Sequence, residues 1–359
     1  MMNVRISLVL ALALLIFGIL PSPTLADDTE TPHYPSLFTP GAFLDTVLMG
    51  VHWTENEQFA KAESLFTVMS AQYPRSPIGP LFMAAAIHGE MLDQESPARA
   101  VEFHRWLDET INEAELWRTS HPGNGEPEFI LGAALGYDAV YESHWGGWFA
   151  ALKRGLSAKN HFKHALELDT TLTDAYLGLG TYNYWKSVKT DFINWLPIVP
   201  DDRQKGLNQL RRVIEHGTIS RNAARASLCY ALMNEGDYLT AIAHADTLAT
   251  HLPNAKSPLW ILAEANMALY RWNDAAEYYD DVESRIKDDG PGNYFNLIES
   301  AANRARALYE AGRYREALAE CHAGLSYPAP NDIRKRHDRT LEQLRDLQHT
   351  VKDLTHPGN

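Results

Sequence analysis

Gly236-Asp237-Tyr238, followed by Ala241, Ala245, Leu248 and Pro253, is the stretch from which the fold can be read. A small residue ends one helix, an aromatic opens the next, alanines recur on one face, and proline forbids continuation. Advancing 34 residues from Tyr238 reaches Trp272, and from Ala241 reaches Ala275, without a gap. The phrase returns as Gly312-Arg313-Tyr314 with Ala317, displaced by an eight-residue insertion around Asp288 to Asn293. Near the start it reads Phe59, Ala62, Phe66 and Pro74. A further copy is Ala158, Phe162, Ala165 and Leu166, followed by Tyr176, Leu179 and Gly180 from the next helix.

A 34-residue period of this kind is the helix-turn-helix unit of the tetratricopeptide repeat (TPR). Ala and Gly belong where the two helices of a hairpin cross most closely, and larger apolar residues fill the space between hairpins. One hairpin cannot bury its apolar face, so several must stack. The register predicts an all-α superhelix of seven hairpins over residues 43–331: 43–76, 77–124, 125–172, 173–221, 222–255, 256–297 and 298–331. After Pro328 and Pro330, one amphipathic helix is expected over 332–355, with Leu341, Leu344, Leu347, Val351 and Leu354 on one stripe as a terminal cap.

Insertions depart from the plain repeat near 141–150, 186–203 and 288–293. The first holds Trp145 and Trp148, and the second holds Trp195. These three tryptophans are candidate anchors beside the groove, although aromatics fill cores as readily as interfaces. The runs GLSAKNHFKHALELD (Gly155 to Asp169), DAYLGLGTYNYW (Asp174 to Trp185) and PIVPDDRQKGLNQL (Pro197 to Leu210) resemble a group of exported bacterial TPR proteins. More distantly, they resemble the TPR proteins of the eukaryotic inclusion-body-clearance group. The likeness is best over residues 125–255. It implies an α-α superhelix and brings neither an enzymatic activity nor site residues.

In such an array the first helix of each hairpin lines the concave face. The register places Phe129, Tyr137, Tyr184, Trp185, Tyr230, Met233, Trp260 and Met267 there, with Tyr184, Trp185, Tyr230 and Trp260 as the expected hot spot. Inward donors for a C-terminal carboxylate are few, Asn303 and Arg306 being the best, so an apolar peptide is the preferred partner.

The first 26 residues read as a secretory signal: Arg5, an apolar run from Ile6 to Leu20, then Thr24-Leu25-Ala26. That run is short for a bilayer span. A linker is expected over 27–42, and the protein is expected in the periplasm or associated with the outer envelope. The formal charge of -14 disfavours nucleic acid as a partner. Cys229 and Cys321 fall in different hairpins and are expected as buried thiols rather than a disulfide.

Fifteen histidines prompt a metal search, and His161, His164 and Glu167 share one side of a predicted helix. The register puts them on the outer surface, with neither HExxH nor paired cysteines present, so no metal or cofactor is expected. His88 and His144 lack a carboxylate partner in sequence. The pairs Glu126/Glu128 and Asp201/Asp202 read as helix-start acids. No nucleophile elbow, P-loop or dinucleotide fingerprint is found. The leading expectation is a non-enzymatic scaffold, monomeric, binding a protein or peptide in an aromatic groove. The alternatives are a small-ligand protein or enzyme with a pocket between the two aromatic insertions, and an oligomer built through the terminal helix.

Overall fold

The computed structural model describes residues 34–190 and 200–355, and every regular element among them is helical. Seven antiparallel hairpins follow in chain order. They are α1 (Ala42–Glu55) with α2 (Phe59–Gln72), α3 (Ile78–Asp93) with α4 (Ala100–Ser120), α5 (Glu126–His144) with α6 (Trp148–Leu168), and α7 (Ala175–Lys189) with α8 (Arg203–His216). Then come α9 (Arg221–Asn234) with α10 (Tyr238–His251), α11 (Ser257–Ala268) with α12 (Trp272–Asp288), and α13 (Tyr294–Glu310) with α14 (Tyr314–Ser326). Each helix packs on the next, and the odd-numbered helices from α1 to α11 also touch their odd-numbered neighbours. That arrangement makes the odd-numbered helices the inner layer of an α-α superhelix.

The repeated phrase has a backbone cause. Phe59, Tyr238, Trp272 and Tyr314 are the first residues of α2, α10, α12 and α14. Two positions before them the chain turns left-handed, at Glu57 (φ 59°), Gly236 (79°), Tyr270 (59°) and Gly312 (75°). The next amide then bonds back to the preceding helix: Gln58 to Trp53, Asp237 to Leu232, Arg271 to Asn266 and Arg313 to Leu308, at 2.8 to 2.9 Å. This is the helix-ending turn for which glycine is preferred. Glu57, Tyr270 and Glu95 (φ 50°, between α3 and α4) adopt it without glycine, at a cost of about 1 kcal/mol each.

The alanines of the phrase, Ala62, Ala241, Ala275 and Ala317, are fully buried where paired helices cross. Gly180 and Gly206 bring α7 and α8 closest: a Cβ on either would sit within 3 Å of the other's carbonyl oxygen. The Phe162 ring of α6 lies between Gly132 of α5 and Gly178 of α7, in space that a methyl group at either glycine would occupy.

Both ends differ from expectation. Residues 34–41 belong to the fold rather than to a linker. Tyr34 stacks on Trp117 at 4.9 Å, Leu37 is buried, and Glu126 accepts bonds from the Ser36 hydroxyl (2.6 Å) and the Leu37 amide (2.8 Å). The terminal cap is two helices, α15 (Asn331–Arg336) and α16 (Asp338–Thr355), broken at the buried His337. Its imidazole packs on Phe295 at 4.1 Å, with Nδ1 3.5 Å from Glu299. Leu341, Leu344 and Val351 are buried in clusters shared with α13 and α14. Cys229 and Cys321 are buried free thiols.

The expected signal segment and Trp195 lie outside the described residues. No helix of the described residues is long and apolar enough to cross a membrane.

Candidate functional site: the walled central groove

The superhelix winds tightly enough for its N-terminal turns to bond to later hairpins. The α1–α2 turn meets the α10–α11 loop, where Asn56 Oδ1 accepts from the Asn254 amide (2.9 Å) and Glu57 Oε1 accepts from the Lys256 and Ser257 amides (2.9 and 3.2 Å). The buried Lys256 ammonium lies 2.8 Å from Glu57 and 3.2 Å from Asp93, and also contacts Asp289. The α3–α4 turn meets the next loop on. There the Asp93 carbonyl accepts from the side-chain amides of Asn293 (2.8 Å) and Asn296 (2.6 Å). Glu95 takes Arg336 at 2.9 Å and His144 at 3.0 Å. Two of the three strained non-glycine turns, Glu57 and Glu95, are therefore the ones whose carboxylates close the superhelix on itself.

Closure turns an open concave face into a recess walled along its edge. Tyr230 of α9 keeps 43% of its surface accessible, yet burial, with Glu264 and Glu57 among the groups nearby, pushes its hydroxyl above the ordinary phenol range. Water reaches it while protein surrounds it. Tyr137 of α5 is pushed up to about 12 by burial and by Glu55. The Glu264 carboxyl is raised by burial and by Glu299.

Glu55 closes the wall against α9. It accepts from Asn222 Nδ2 at 3.0 Å and from the Ala223 amide, and burial pushes it up to about 7. A carboxyl raised above its unfolded value favours the proton-bound fold, so its contribution is fully present at low pH and lost as pH rises through about 7. Replacing Glu55 by Gln keeps an acceptor for both donors and removes the charge. The variant is expected to be more stable than the wild type at pH 8, by on the order of 1 kcal/mol after discounting for its partial exposure. Urea unfolding at pH 8 and pH 5 checks this; a gain that does not shrink at pH 5 contradicts it.

The sequence-predicted groove residues divide by access. Tyr230 faces the recess. Trp260 is half-buried and meets Tyr279 edge-on at 5.7 Å, and Met233, Met267, Trp185 and Tyr137 are likewise half-buried. Tyr184 lies on an inner helix but is completely buried. Its single O–H is shared between the Ala231 carbonyl and Glu235 (2.9 Å each) and its oxygen accepts from Asn234 at 2.8 Å, so it holds α7 to α9 and offers nothing to a partner. Phe129 is also buried, edge-on to Phe38 at 5.1 Å. Of the insertion tryptophans, Trp145 packs against Tyr141 and His144, whereas Trp148 is exposed. Glu55, Glu57, Glu95 and Lys256 escaped sequence reasoning. Glu57 and Glu95 carried one signal, a non-glycine residue where the turn favours glycine; Glu55 and Lys256 carried none.

The histidine candidates serve packing. His161 and His164 both turn to the buried Glu128 of α5, at 2.6 and 3.1 Å, with Arg118 at 3.4 Å. Burial pushes Glu128 up, but the His161 bond and these charges hold it below the ordinary carboxylate range. The pair joins α6 to α5 from the outer layer, with His164 exposed and His161 half-buried. His88 is packed among Phe103, Tyr137 and Trp145, and burial holds it down to about 4. Asp201 pairs with Arg203 (2.6 Å) and Asp202 with Lys186 (2.8 Å) at the start of α8. A second carboxylate pair, Glu283 with Glu320, is sealed in the wall between α12 and α14. Tyr327 (2.5 Å) and Lys287 (2.6 Å) bond Glu283, and Arg304 (2.9 Å) bonds Glu320. Among the described residues no group of three His, Cys, Asp or Glu is placed to hold a metal.

No protein-family model and no curated protein matches the chain. Among solved structures it is similar to PilW, a widely conserved type IV pilus biogenesis factor, at 16% identity and TM-score 0.46, over 68% of this chain and 96% of that one. It is similar to the C-terminal part of a TPR repeat-containing protein from Cytophaga hutchinsonii at 16% identity and TM-score 0.44, over 80% and 97%. It is also similar to the APC/C hetero-tetramer Cut9-Hcn1 at 12% identity and TM-score 0.47, over 82% and 52%.

Proposed function

We propose that this chain is a non-enzymatic scaffold of the exported bacterial TPR kind, which holds a segment of a protein partner in its walled central groove. The observation that carries the reading is Tyr230: a large aromatic left accessible on the inner layer, with Glu264 nearby. An aromatic of that kind supplies contact area at little entropic cost, and half-buried Met233 of the same helix and Trp260 and Met267 of α11 extend the apolar lining. Export through the N-terminal apolar run, and residence in the periplasm or at the outer envelope, are part of the proposal. So is a monomeric state, supported by the inward packing of Leu341, Leu344 and Val351.

The edge-to-edge closure also favours a second reading, a small ligand enclosed in the same recess. Affinity capture from the protein's own envelope extract, comparing the wild type with Tyr230→Ala/Trp260→Ala, separates the two. A protein retained by the wild type and reduced at least about tenfold by the variant supports the scaffold. Copurification of a small molecule with no protein overturns it. Circular dichroism confirms that the variant is folded.

A further inference from the structure

Helix α6 presents a face that the groove does not use. Trp148, Phe149, Leu152 and Leu156 are 53, 83, 40 and 46% exposed. At about 100° per residue these four fall within roughly 100° of one another around the helix axis. Ala151, Ala158, Phe162 and Ala165 form the buried side of the helix, so the outward stripe is left largely uncovered by the described residues. Lys159 and Lys163 continue the same stripe towards the C-terminal end.

The charge of this face runs against the rest of the protein. The chain carries -14, whereas α6 bears Lys153, Arg154, Lys159 and Lys163 against the single acid Glu167. Arg154 is neutralised by Asp138 at 2.7 Å. The lysines are not neutralised in this way: Lys159 lies over the Tyr182 ring at 4.7 Å, with Lys163, Lys186 and Lys205 close enough to repel its charge. Of these, Lys186 is paired with Asp202. Asp202 is also close enough to attract the Lys159 charge. Apolar side chains thus project at one end of the helix, and Lys159 and Lys163 follow behind them.

We propose that the exposed face of α6 docks on an anionic lipid surface, with Trp148, Phe149 and Leu152 entering the headgroup boundary and Lys153, Lys159 and Lys163 meeting lipid phosphates. The polarity is graded along the helix in the order that a lipid interface presents it. Tryptophan at the boundary and lysines extending to phosphate are the side chains such an interface accepts. The apolar residues project outward rather than lining a hollow, which suits a deformable surface better than a preformed knob-and-pocket contact.

The test uses the whole chain with vesicles of phosphatidylcholine alone or mixed with phosphatidylglycerol, their acyl chains brominated to quench inserted indoles. The expected result is tryptophan quenching on the anionic vesicles that disappears in Trp148→Phe. Because that difference reports the depth of one side chain, it is independent of any anchoring through residues 6–20. Lys159→Gln/Lys163→Gln is expected to reduce the Trp148-dependent quenching about tenfold at low salt. Raising the salt should do the same to the wild type. Equal quenching in wild type and Trp148→Phe overturns the proposal, since Trp148 then stays in water. So does a concentration-dependent dimer in light scattering that Phe149→Ser abolishes, because the face would then serve a second copy.

Discussion

Replacing Lys256 by Ala is expected to open the superhelix. Lys256 is 3% exposed and, among the described residues, is the one cation between Glu57 and Asp93, with Asp289 on its outer side. Burial and Glu57 already push the Asp93 carboxyl up to about 7, even with Lys256 pulling it down. Without the ammonium two half-buried carboxylates face each other, and breaking a buried ion network from one side costs about 3–5 kcal/mol. Asp289 is largely exposed and recovers water.

The loss falls on docking of the first two hairpins rather than on any single hairpin, because each hairpin keeps its own core. Small-angle scattering of Lys256→Ala should show a larger radius of gyration. Hydrogen exchange should accelerate at Asn254, Lys256 and Ser257, whose amides are held by Asn56 and Glu57. Adding Glu57→Gln and Asp93→Asn to Lys256→Met should recover part of the stability by removing the unpaired charges. A scattering profile unchanged in Lys256→Ala would show that the closure does not depend on this network.

Asp174→Ala is the second large effect. This buried carboxylate accepts three backbone amides just before α9: Thr218 at 2.7 Å, Ile219 at 2.9 Å and Ser220 at 2.7 Å. These amides belong to the loop leading into α9, and an acid from the preceding hairpin supplies their acceptors and places negative charge at the helix N-terminus. Alanine leaves buried donors unsatisfied at about 1–3 kcal/mol each, so an overall loss of about 3–5 kcal/mol is expected once some are rehydrated. Asp174→Asn retains a neutral acceptor and should lose less. Denaturant unfolding and amide exchange at residues 218–220 measure both; equal losses in the two variants would argue against a role for the charge.

The hairpins were legible because their determinants are local. A left-handed turn, an aromatic at the start of the next helix and alanine at the crossing recur at Tyr238, Trp272 and Tyr314 within single 34-residue units. The division of the inner helices between groove and core was less legible. Tyr184 and Tyr230 both lie on inner helices, and only packing shows one hydroxyl bonded to Ala231 and Glu235 while the other ring stays open to water.

Period, turn chemistry and apolar spacing therefore determined the all-α repeat and its inner layer, since each follows from contacts within one hairpin and its neighbour; the expected boundary between 297 and 298 falls instead inside α13, which begins at Tyr294. The tertiary structure alone decided that the groove is walled, that Glu57, Glu95 and Lys256 close it, and that His161 and His164 serve Glu128. Those contacts join residues as far apart in sequence as Glu57 and Lys256, or Glu95 and Arg336. Their meeting depends on superhelical twist accumulated over many small packing rotations, and no local pattern encodes that sum.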